Sequence, residues 1–447
     1  MKLLLIIAFS ILNLNSIFAQ THKNENFKTE INFGNGFIVT TFLKVKQKKN
    51  KITLTSPKNS DVRLAGFLKA KTGRLLGKSP KKGILVRINA VLKKDSLSGY
   101  ISTTLLDKLQ LKGELKNGLL TGIIYKNKKI VGNIKGKKSE QTKINYSHLY
   151  LTITKLTEQN LFSNEFLKSD KWKEYKKVLK KKLDKVQDDI ELYIAFKMLN
   201  SKLPFSHYYL IIREKSNKKM DEIKEQAVVY EKKNINTDYL KIKNFSTSQK
   251  ELSIILPKIL KSKPNNLIID LRDNPGGGIE AAFEFGKYFI SNNSEIGFFV
   301  TNKLQYTGFD YQLFRTLPKA KPQTTIEFIE YLKHKKGAQL VFDKSNIPTF
   351  SGHLYVLTNR NTGSTCEPIV YILKKSKTAT IIGEKTAGAM LSGTSFNLSD
   401  KYNLFIPIAD FYTRDGVRLE GLGVTPDIIT KSDEALNKTL EIIKKNK

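Results

Sequence analysis

Three features of this 447-residue sequence point to an α+β multidomain chain whose second half is an α/β core. After a short apolar leader, the text runs in brief alternating stretches of Val, Ile, Leu and Thr separated by turn residues. A lysine-rich segment then takes up the 3.6-residue period of amphipathic helices. From residue 204 onward, apolar strand-like runs alternate with helix-like ones, the pattern of sheets covered by helices.

The first 19 residues, MKLLLIIAFSILNLNSIFA, carry a lysine, an apolar run and a small residue before Gln20. That is the form of a secretory signal peptide, expected to be cut after Ala19 and to be no part of the folded chain. The run is short for a spanning helix, which needs about 20 apolar residues. The mature chain is therefore expected to be exported, periplasmic or secreted, without stable membrane insertion. Cys366 is the only cysteine, so no intramolecular disulfide forms, and export without disulfides suits a bacterial envelope.

The formal charge of +36 comes mostly from lysine spread along the whole chain. No nucleic-acid module or aromatic-basic cluster accompanies it, so it reads as a solvated coat and not as a phosphate-binding stripe. Such a coat favours acidic partners or anionic surfaces. One cysteine and five scattered histidines make no zinc site, and no cofactor is expected.

Residues 20–140 read as a β-rich N-terminal domain of antiparallel strands. Asn117-Gly118, between LKGELK and LLTGIIYK, is a hairpin signal. Residues 141–203 read as a helical subdomain, with Trp172, Tyr175, Val178, Leu179, Leu183 and Val186 on one stripe and Ser169 or Asp170 as an N-cap. Residues 204–447 form the α/β core, with strands at HYYLIIRE, DYLKIKNF, NNLIIDLRD, IGFFVTN, HLYVLTN, TATIIGE and YNLFIPIADFYT. The stretch 303–347 interrupts this pattern and is expected to form a cap or lid.

Two loops in the core carry chemistry. In NNLIIDLRDNPGGGIEAAFEFGKYF, a buried strand runs through three glycines into a helix, so backbone N–H groups can approach a ligand. Neither G-x-x-x-x-G-K-[ST] nor G-x-G-x-x-G is present, which sets it apart from a phosphate loop. In NTGSTCEP, Ser364 stands on a strand-to-helix turn, the posture of a nucleophile whose hydroxyl is exposed beside oxyanion-binding N–H groups. Cys366 should fall inside the first helical turn and is read as a packing residue.

In order, DLRDNPGGG, NTGSTCE, GEKTAG and LEGLGVTPD resemble the carboxyl-terminal-processing and tricorn-like serine peptidases of family S41, over residues 204–432. The resemblance implies a ClpP/crotonase-type core with Ser364 as nucleophile, and with Thr365 N–H and that of Gly276 or Gly277 as oxyanion donors. In the processing branch a lysine follows the GE-x-T-x-G motif as base. Here Ala389 holds that place, and Lys385 lies four residues early. The tricorn-like branch uses an upstream histidine with a serine and a glutamate, which maps onto His207, Ser206 and Glu420. A neutral imidazole can accept a proton at pH 7. Whether Glu420 meets the imidazole directly or through Ser206 is open at this level. Only about thirty residues separate REKSNKKMDEIK from DYLKIKNF, too few for the PDZ module of processing peptidases.

The expected function is thus an exported serine peptidase acting on peptides or unfolded proteins. Two alternatives stand beside it: a catalytically inactive binder of peptides or lipids on the same core, and a crotonase-like enzyme acting on thioesters.

Overall fold

The computed structural model describes residues 25–33, 38–56, 86–103, 108–213, 226–290, 294–342 and 346–446. The expected signal peptide lies outside them. Among the described residues, eight antiparallel strands come first: β1 (Asn26–Asn32), β2 (Ile38–Lys48), β3 (Lys51–Thr55), β4 (Val86–Lys93), β5 (Ser96–Thr103), β6 (Leu109–Lys116), β7 (Leu119–Lys126) and β8 (Lys129–Lys138). Pairing of β1 with β8 closes them into a barrel. Alternate residues point inward, and side chains such as Phe27, Val39, Leu54, Ile88 and Leu111 fill the interior as a packed core. The Asn117-Gly118 turn joins β6 to β7 with both residues at positive φ (49° and 72°), the conformation that matches strand twist in a two-residue hairpin.

Four helices follow: α1 (Leu149–Asn160), α2 (Asn164–Lys168), α3 (Asp170–Lys185) and α4 (Asp189–Asn200). Ser169 caps α3, its hydroxyl accepting from Trp172 N–H. The buried face of α3 carries Trp172, Tyr175, Leu179 and Leu183, while most of its lysines face solvent. Barrel, helices and part of the core share one hydrophobic cluster. Their seam also holds a polar hub. Buried Asp189 accepts from Thr40 N–H (2.5 Å) and Tyr146 Oη (2.7 Å), and also from Lys401 and Tyr402. Its neighbour Asp188 accepts from Thr41 Oγ1 and from Glu191 N–H.

The remaining chain builds two sheets. One has the order β10 (Val228–Asn234), β11 (Thr237–Ile242), β12 (Asn266–Asp270), β16 (His353–Thr358), β17 (Ala379–Gly383), β20 (Ile428–Ile429), parallel from β11 onward. All five residues of β12 are buried, as a central parallel strand requires. The second sheet has the order β14 (Lys319–Ala320), β15 (Gly337–Val341), β13 (Glu295–Thr301), β19 (Tyr402–Thr413), β18 (Ser392–Asn397), and β9 (Tyr209–Ile212) pairs with β19.

The helices α5 (Gln249–Ser262), α6 (Ile279–Phe289), the single turn α7 (Tyr311–Phe314), α8 (Thr325–His334), α9 (Cys366–Lys375) and α10 (Ala435–Lys445) complete the core. Residues of α6 and α9 share one apolar cluster with strands of both sheets. The helix α10 covers Tyr239, Ile268 and Tyr355 of the parallel sheet. Within the stretch 303–347, β15 is buried at every position and pairs with β13, so this part of the chain is built into the second sheet.

Candidate active site

The glycine loop leaves β12 through Asp270, whose buried carboxylate binds Arg272 and Tyr239 Oη. Asn274 pins the loop, donating to Ile242 O and accepting from Gly276 N–H at 2.9 Å. Gly276 has φ 95°, and a Cβ there would stand 2.7 Å from Ser364 Cβ, so only glycine lets the two loops meet. Its N–H is therefore committed to Asn274. The N–H of Gly277, by contrast, makes no hydrogen bond among the described residues.

The second loop leaves β16 and enters α9. Thr362 Oγ1 donates to Leu271 O, Gly363 N–H donates to Asn274 O, and Thr365 Oγ1 donates to Gly277 O at 2.6 Å, which ties the loops together. Ser364, with φ 52°, is held in the left-handed region that costs a non-glycine residue about 1–3 kcal/mol. Its N–H donates to Ala389 O (3.0 Å), while Thr365 N–H, like that of Gly277, has no partner among the described residues.

His207 also has positive φ (58°) and stands just before β9. Its Nδ1 lies 2.6 Å from Ser206 Oγ. Ser206 donates to Glu420 Oε2 (3.0 Å), and its N–H donates to Oε1 (2.6 Å). Glu420 is buried and also accepts from Met390 N–H at 2.7 Å, so it is not a surface charge. Burial raises the carboxyl pKa of Glu420 above its ordinary value, opposed by the hydrogen bonds from Ser206 and Met390. Burial also lowers the pKa of His207, which favours the neutral imidazole.

His207, Ser364, Gly276, Gly277 and Thr365 line one cavity of about 440 Å³. No hydrogen bond joins Ser364 Oγ to the imidazole, whose Nε2 has no hydrogen-bonding partner among the described residues. Ser206 and Glu420 stand behind the imidazole and do not line the cavity. Lys385 is exposed and also absent from its walls. Cys366 is buried, bonds toward Asn274 O, and burial pushes its thiol pKa up, away from nucleophilic use. Asp427 braces a turn by accepting from Ile381 N–H.

One residue beside the site had no role assigned from sequence. Glu367, fully buried in the first turn of α9, accepts from Thr386 Oγ1 (2.6 Å), Gly388 N–H (2.7 Å) and Ala389 N–H (2.7 Å). It thereby holds the GEKTAGAM loop whose Ala389 carbonyl receives Ser364 N–H. Its carboxylate in a helix's first turn was the one available signal.

A family model described as "Peptidase family S41" matches residues 236–430. Over these residues the chain is similar to peptidase family S41. The S41 region includes the glycine loop, Ser364 and Glu420, whereas Ser206 and His207 lie before it. A carboxyl-terminal-processing protease of Synechocystis is 25% identical over 194 residues, covering 43% of this chain and 38% of that protein. A probable CtpA-like serine protease of Staphylococcus epidermidis is 26% identical over 230 residues, covering 51% and 40%. The chain thus spans about two fifths of the length of these relatives. The solved structure of the tricorn protease aligns over 88% of this chain and 45% of its own, at 13% identity and a TM-score of 0.43. Among the described residues, no helix is long and apolar enough to cross a membrane.

Proposed function

We propose that this chain is an exported serine peptidase of the tricorn-like kind, in which Ser364 is the nucleophile and His207 the base. The observation that carries this reading is the Glu420–Ser206–His207 chain of hydrogen bonds, which ends at the cavity that also receives Ser364. A carboxylate can only accept, so the Ser206 hydroxyl points its hydrogen at Glu420 and accepts from Nδ1–H. Nε2 then holds a lone pair on the cavity side.

In the reaction, Ser364 Oγ bonds to a peptide carbonyl carbon as its proton passes to Nε2. The N–H groups of Gly277 and Thr365 receive the oxyanion, a pair commonly worth about 10²–10³ in rate per donor. The C–N bond breaks as Nε2–H gives its proton to the leaving amine. Water, deprotonated by the same nitrogen, then releases the acyl group and restores Ser364. The Ser364–His207 contact closes when substrate is bound, as catalytic hydrogen bonds of unliganded sites commonly do.

A fluorophosphonate probe tests this directly. It should label the mature protein, lose the label in Ser364→Ala and His207→Ala, and keep it in Lys385→Ala. Labelling that survives Ser364→Ala would sink the assignment. A second reading, a non-hydrolysing binder, draws on the apolar cavity and on the open Ser364–His207 gap. It predicts no labelling and no new amines from a peptide library.

A further inference from the structure

The cavity beside Ser364 is at odds with the rest of the molecule. In a chain of net charge +36, no lysine, arginine, aspartate or glutamate stands among its described lining residues. Its apolar wall includes Phe283, Phe299, Phe328, Ile369, Leu340 and Phe342. The carbonyl attacked by Ser364 must lie between Oγ and the N–H groups of Gly277 and Thr365, and all three residues belong to the cavity wall. The residue that owns that carbonyl has its side chain one carbon away, so this side chain is the one that enters.

The wall shared with a neighbouring cavity has a specific construction. The rings of Phe283 and Phe342 stack with centroids 5.8 Å apart and an interplanar angle of 23°. Both rings also line a second cavity of about 480 Å³, where Glu280, Glu284, Lys287 and Lys321 are found, so they form the partition between the two spaces. Phe342 fits only because position 286 is glycine. A Cβ there would stand 2.4 Å from Phe342 Cε2, and Gly286 lies inside α6, where alanine would otherwise be the better helix former.

On the peptidase reading above, we propose that this cavity selects a large apolar side chain on the acyl side of the scissile bond, with Phe342, seated on Gly286, setting its depth. A charged side chain would be stripped of water there with nothing to pair it.

The test uses the mature full-length protein and peptides varied at the residues on both sides of the bond. Wild type should cut after Phe or Leu with kcat/KM at least ~100-fold above Lys, Arg, Asp or Glu, and ~10-fold above Ala. Phe342→Ala should raise the ratio of 2-naphthylalanine to Phe by ~10-fold, because the partition opens. Gly286→Ala should lower the Phe-to-Ala ratio by a similar factor, with fluorophosphonate labelling within ~3-fold of wild type. Active protein with a flat acyl-side profile, or with preference only on the leaving side, overturns the inference and leaves the peptidase reading standing. Absence of both labelling and cleavage removes both.

Discussion

Glu420 reaches His207 only through Ser206, whose hydroxyl oxygen lies 2.6 Å from Nδ1 and 3.0 Å from Oε2. The hydroxyl sets the tautomer, and the buried carboxylate sets the direction of the hydroxyl. Ser206→Ala should therefore lower kcat by ~10–100-fold with KM within ~3-fold, a smaller loss than the ~10³-fold or more for His207→Ala. Steady-state kinetics on the best peptide decides it. Unchanged kcat in Ser206→Ala would mean that the hydroxyl has no part in catalysis.

On the proposed mechanism, the pH profile should carry the mark of the burial of His207. Desolvation lowers the pKa of His207, so the imidazole stays neutral below its ordinary value of about 6.5. The acid limb of kcat/KM, or of the labelling rate, should fall below that value. The stability consequence has the same direction. The unfolded histidine takes its proton first, so the contribution is complete above about 6.5 and is lost as pH falls toward the depressed native value. An acid limb at or above 6.5 contradicts this burial effect.

Glu367 should matter to both fold and site. Glu367→Gln places an amide NH₂ against a shell of N–H and O–H donors, leaving at least one buried donor unpaired, at a cost of about 2–4 kcal/mol. Urea unfolding should show this loss. Labelling of Ser364 should fall as well, because the Ala389 carbonyl that receives its N–H hangs on the same loop.

At the seam between barrel and helices, burial pushes the Asp188 pKa up to about 7, against the pull of Glu191 N–H and Thr41. Its native pKa is above the ordinary 3.8, so the native state holds the extra proton and stability declines as pH rises from about 4 to about 7. Asp188→Asn keeps an N-cap oxygen for Glu191 N–H, and its amide NH₂ donates to Thr41 Oγ1, a hydroxyl that can accept as well as donate. The variant should melt higher than wild type at pH 8 and match it near pH 4. Equal melting temperatures at both values would show that Asp188 ionises freely.

Much of the architecture was legible because its causes are local. Asn117-Gly118 adopts the two positive φ angles a tight hairpin needs, Ser169 lies next to the helix it caps, and β12 declares itself by the apolar run Leu267-Ile268-Ile269. The strand β15 was not legible. GAQLV is short, opens with glycine and has no period, and it is a strand only because β13 and β14 flank it. Closure of the barrel likewise depends on β1 meeting β8, about a hundred residues away, which no local pattern encodes.

The residue types of the candidate site could be named from sequence alone: a serine on a turn, a glycine loop, a histidine ahead of a strand, a late glutamate. Sequence also determined the absence of an intramolecular disulfide, since one cysteine cannot pair within the chain. Only the tertiary structure decided that Glu420 meets Ser206 and not the imidazole, that Gly276 spends its N–H on Asn274, and that Glu367 carries the loop under Ser364. The reason is physical. A motif supplies donors and acceptors, but a hydrogen bond exists only where packing brings one of each within about 3 Å along the right direction.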